Sequence, residues 1–100
     1  MINMTELEAP NGWHWGIGNK SDSYYTYWLY TDSILYQDGK FGWECQIYWD
    51  EGHKHSVSFN QYTKLKQDGD PEYGYPEHTA QFETEKEAVE YAVRKATELR

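Results

Sequence analysis

His53 and His55, preceded by Asp50 and Glu51, form the one stretch of this chain in which two imidazoles and two carboxylates fall within six residues. Zinc takes such donors, but its sites need three or four of them at spacings such as C-x-x-C or H-E-x-x-H, and neither occurs. The pair therefore reads as a polar turn, and no metal is expected. The run from Asp68 to Glu72, DGDPE, opens like a calcium loop. It lacks the glycine at the sixth position and the glutamate at the twelfth that such loops require.

The lone cysteine, Cys45, lies within an alternating apolar run, where desolvation disfavours a thiolate nucleophile. Paired carboxylates are frequent among 17 acidic residues, but none marks a pocket. There is no G-x-S-x-G, phosphate loop or dinucleotide fingerprint. These readings leave no catalytic residue and no cofactor to expect.

Recognition is the remaining class. Five tryptophans and ten tyrosines exceed what the inner face of one small sheet holds, and these residue types are enriched at protein interfaces. Trp28 and Tyr30, with Tyr24 and Tyr48, belong to the second faces of their strands, where the alternatives are exposure and burial under the helix or the N-terminal segment. Tyr73 and Tyr75 sit among Asp68, Asp70, Glu72 and Glu77, and surface exposure is expected there. From Asp68 through Glu90 there are eight acids against Lys86 alone.

These side chains need elements to position them. Asp38-Gly39 in SILYQDGKFGWECQIYW predicts a hairpin with a two-residue turn, which would pair Tyr36 with Phe41 and Ile34 with Trp43. On its second arm Phe41, Trp43, Cys45, Ile47 and Trp49 share one face, so that face is core. SVSFN, after the turn at DEGHKH, supplies a further arm. WHWGI and YYTYWLY supply one or two more, joined at Lys20, Ser21 and Asp22. In NGWHWGIGN, Trp13, Trp15 and Ile17 alternate with His14, Gly16 and Gly18, which places both indoles in the core. Tyr25, Tyr27 and Leu29 likewise share one face of their strand.

Thr84 and Glu87 form a T-x-x-E capping box ahead of Ala88, Val89, Ala92, Val93, Ala96 and Leu99 at helical spacing, with Glu90 and Arg94 as an i, i+4 pair. The fold class is therefore α+β: an antiparallel sheet of four or five strands with one C-terminal helix packed on one face. One hundred residues suffice for a single domain. Residues 1–10 read as a loosely attached N-terminal segment, and residues 67–78 as an acidic surface loop.

A net charge of −8 repels phosphate backbones and anionic membranes, which excludes direct nucleic-acid binding and favours a protein partner with a basic surface. One cysteine allows no internal disulfide, and no apolar run reaches the length of a membrane span, so a cytoplasmic setting is expected. Monomer and homodimer both stay open.

The NGWHWGI opening and the helix start TEKEA (Thr84, Glu85, Glu87, Ala88) resemble the arrangement in a small phage anti-CRISPR protein that blocks a crRNA-guided type I surveillance complex. The resemblance covers about a dozen positions and rests in part on a widespread helix-capping pattern. It implies a non-enzymatic inhibitor that carries an acidic surface onto a basic DNA-binding track. The alternative is an aromatic module that stacks a carbohydrate or similar ligand on Trp28 and Tyr30.

Overall fold

The computed structural model describes residues 8–65 and 71–99. Six strands, β1 (Trp13–Lys20), β2 (Tyr24–Thr31), β3 (Trp43–Asp50), β4 (His55–Leu65), β5 (Pro71–Tyr73) and β6 (Glu77–Phe82), precede one helix, α1 (Glu85–Leu99). β1 to β4 form an antiparallel meander. The long β4 then pairs with β6 along its first half and with β5 along its second. The expected α+β architecture holds, with one strand more than the larger expected number. The extra pairing comes from the region read as a loop: residues 71–73 and 77–78 of the 67–78 segment are strand. The backbone of Pro71 through Tyr73 is drawn into the sheet because β4 continues past Asn60 and offers a free ladder.

Alternation decides the core. In β2, Tyr25, Tyr27 and Leu29 are buried, and in β3, Trp43, Cys45 and Ile47. β4 adds Val57 and Phe59. α1 lies over β3, β4 and β6 with Ala88, Val89, Ala92 and Ala96 facing the sheet. Alanines let the helix approach a surface already filled by large rings. Full burial of each larger side chain contributes about 1.5–3 kcal/mol. Cys45 is fully buried and burial pushes its thiol well above its ordinary value, as expected for a core residue.

Trp13 is buried edge-on against Phe59, and Trp15 packs on the same core. Ile17 departs from that pattern at 50% exposure. Among the described residues the helix makes its main contacts with β3, β4 and β6, away from the far end of β1. The segment before β1 is tied in at its end: Ala9 packs on the core and the Trp13 amide donates to Pro10 O at 2.9 Å. Residues 1–7 of that segment lie outside the described residues.

Two local expectations are corrected. The turn at Asp38-Gly39 is a three-residue loop: Tyr36 N–H donates to Lys40 O at 2.9 Å, Gly39 N–H donates to Tyr36 O at 3.0 Å, and Leu35, not Tyr36, bridges Phe41. Asp38 Oδ1 accepts from Lys40 N–H, and Gly39 takes φ of 83°, the left-handed residue that this bulged turn needs. On α1, Glu90 pairs with Lys86 at 4.0 Å, while the Arg94 guanidinium sits over the Tyr91 ring. The Thr84 cap is present, its hydroxyl accepting from Glu87 N–H at 3.2 Å. No helix among the described residues is long and apolar enough to cross a membrane.

Candidate functional site: the uncovered sheet face

The face of the sheet opposite α1 carries the even-numbered residues of β2, β3 and β4. Tyr24, Tyr30, Tyr48 and Tyr73 are exposed there, at 41, 36, 43 and 47%. Exposure is thus the outcome for the second-face tyrosines. Trp28 is half-buried for a local reason: its indole lies across β1 where Gly18 stands. A Cβ at Gly18 would sit 2.7 Å from Trp28 Cη2. Glycine at 18, with Gly16 beside it, makes the slot in which the ring rests. Trp28 therefore covers a glycine-bearing edge strand instead of offering an open platform, and Tyr48 is the open ring in mid-sheet.

Two clusters occupy this face. The first is centred on Glu44, which pairs with Tyr30 across β2 and with Asn60 across β4. Tyr73 O–H donates to Glu44 Oε2 at 2.8 Å, and Tyr62 lies near enough for the Glu44 charge to bear on its phenol. Tyr62 and Tyr73 lie ring to ring at 5.2 Å, and His14 stands 5.9 Å from Tyr30 on the opposite flank. Burial pushes the Tyr62 phenol upward, with the Glu44 charge as the next cause, so it remains a donor at any physiological pH. The second cluster surrounds Tyr48. Shallow depressions on its two sides are lined by Tyr24, Gln46 and Asp50 on one and by Ser56, Thr79 and Gln81 on the other.

Of the residues singled out in the sequence, Tyr30 and Tyr73 are brought to opposite sides of Glu44. Trp28 shares their face. Tyr75 projects from the β5–β6 connection at 90% exposure, and Glu77 is exposed at the start of β6. Glu72 is half-buried in β5. Asp68 and Asp70 lie outside the described residues. The later acids of the run have partners within the chain: Glu83 pairs with Lys54 at 3.0 Å, Glu85 accepts from Tyr27, Glu87 belongs to the cap and Glu90 to Lys86.

Two residues of the first cluster, Glu44 and Tyr62, were not singled out. The signal for Tyr62 was available, since Asn60-x-Tyr62 continues the alternation of SVSFN. Alternation along the second arm of the hairpin leaves Glu44 on the outward face, but only the sheet register brings Tyr30, Tyr62 and Tyr73 around it.

The histidine pair behaves otherwise than as metal ligands. His53 is in the exposed turn. His55 turns inward, stacked on Trp49 at 5.1 Å and 8°, with Tyr25 Oη 2.7 Å from its Nδ1. Burial lowers the His55 pKa, against the opposing pull of Glu85, Glu83 and Glu87, while burial raises that of Tyr25. Both groups are accordingly neutral at neutral pH and share this hydrogen bond. No group of three metal-ligating side chains occurs among the described residues.

Compared with family models, with curated proteins and with solved structures, the chain gives no match.

Proposed function

We propose that this protein acts by binding another protein, as a small acidic inhibitor that occupies a basic nucleic-acid-binding surface, and that its target is a CRISPR effector complex of the type I class in a host cytoplasm. The observation that carries the reading is the bare sheet face. Tyr24, Tyr30, Tyr48 and Tyr73 remain exposed on it, while the opposite face of the sheet is buried in one core with α1. Tyrosines in such a patch anchor protein interfaces, and a net charge of −8 steers the chain toward a positive partner and away from nucleic acid itself. The resemblance of NGWHWGI and TEKEA to an anti-CRISPR protein supplies the class of target. The acidic segment with Glu72, Tyr75 and Glu77 contributes Tyr73 to this face through β5.

The test is displacement of a labelled target DNA from purified type I surveillance complexes. The expected result is loss of bound DNA in proportion to added protein, weakening as salt rises, and abolished by Tyr24→Ala with Tyr48→Ala. DNA that stays bound at every ratio and salt overturns the reading.

A second reading is favoured by one specific feature: the Tyr48 ring is flanked by the amides of Gln46 and Gln81 and the carboxylate of Asp50. An aromatic ring between such groups can stack and hydrogen-bond a sugar. Saturable shifts of the Tyr48 signals on titration with a saccharide panel would establish it, and their absence would remove it. Tyr48, not Trp28, is the stacking residue in this version.

A further inference from the structure

The geometry points to Glu44 as the seat of an arginine side chain contributed by the protein partner, with Tyr30 and Tyr73 flanking the guanidinium. This rests on the docking reading above and names its central contact. Three observations carry it.

First, the carboxylate is positioned. Tyr73 O–H hydrogen-bonds it at 2.8 Å, which orients the headgroup and leaves lone pairs over, since a carboxylate accepts about four hydrogen bonds. Second, no ion pair to Glu44 occurs among the described residues, whereas Glu83, Glu90 and Glu98 each have a lysine within 4.0 Å. A half-buried, oriented anion on an uncovered face lacks the cation its sign requires. Third, the surroundings are aromatic: Tyr30, with His14 beyond it, on one side and the Tyr62–Tyr73 pair on the other.

Guanidinium fits this arrangement better than ammonium. It is planar, stacks on aromatic rings, sheds water more readily and presents paired donors to a carboxylate. Charge complementarity selects the partner. A chain at −8 docks on a basic surface, and arginine is the basic residue most enriched at interface anchors.

The probe is Nα-acetyl-arginine amide, titrated into the full-length protein while backbone amide shifts are followed by NMR, with the lysine and citrulline amides as controls. Saturable shifts confined to Tyr30, Glu44, Tyr62 and Tyr73 are expected with arginine and none with neutral citrulline. Glu44→Gln, which keeps shape and hydrogen-bond acceptance, should weaken the arginine response about tenfold or more, while its other shifts report an intact fold. Equal response to citrulline, a lysine response as strong as that of arginine, shifts centred elsewhere, or no saturation at all each overturns the assignment. Because the probe needs no target, the two proposals can fail separately. A null here with DNA displacement intact removes only the arginine contact. A positive result here with no displacement removes the CRISPR target and leaves the arginine site standing.

Discussion

Strand β2 presents two aromatic faces that share a backbone and little else. Tyr25 and Tyr27 stack at 4.4 Å on the inner side, both essentially inaccessible, with their hydroxyls committed to His55 and Glu85. Tyr24 and Tyr30, one residue before Tyr25 and three after Tyr27, are exposed on the outer side. The rings are the same, so their own hydrophobicity does not decide the difference. What decides it is which face the helix covers, and α1 has a single apolar stripe. The lesson is that an aromatic strand carries its function on whichever face its sequence leaves unpartnered. Burial on one side raises the phenol pKa values, and openness on the other frees rings for recognition.

That contrast can be broken most strongly from the inside. Ile47→Ala, at a fully buried site between β2 and β4, should cost about 2–5 kcal/mol by denaturant unfolding, as large-to-small core changes do. Gly18→Ala should follow at about 1–3 kcal/mol, because the added carbon meets the Trp28 ring and forces it off β1. Trp28 emission should shift to the red in that variant, and an unshifted spectrum would refute the slot. Tyr48→Ala sharpens the comparison from the outside, with stability expected within about 0.5 kcal/mol of the parent while target binding falls. A loss of stability as large as that of Ile47→Ala would mean that the outer face is structural.

The smallest effect concerns pH. The folded-state pKa of His55 lies below its ordinary 6.5, so the unfolded chain binds its proton first. The stability this group contributes is complete above 6.5 and is lost as pH falls from there toward the lower folded value. The melting temperature should therefore decline between about pH 7 and pH 5. His55→Phe should flatten part of that slope, and an unchanged slope would show that other groups produce it.

Much of this was legible in the residues. Alternation in β2 and β3, the Thr84 cap and the helical stripe are local patterns, and each is realised. Ile17 was misleading because its pattern is that of a core strand while its cover depends on where α1 lies. β5 was hidden because Pro71, Glu72 and Gly74 carry the composition of a loop, and only the extended ladder of β4 recruits them. The hairpin register slipped by one because Asp-Gly serves both two- and three-residue loops. The outer face was legible as a set of candidates. Which ring is open and which is seated on glycine depends on contacts between β1 and β2 that no local pattern encodes.

The hydrogen bond from Tyr27 to Glu85 spans 58 positions of chain, and α1 follows all six strands in order. During synthesis the aromatic inner face is therefore finished before its cover exists. Until α1 leaves the ribosome, both sides of the nascent sheet show aromatic rings, and the inner side has yet to gain its cover. The helix, made after the strands, is what gives the molecule a front and a back.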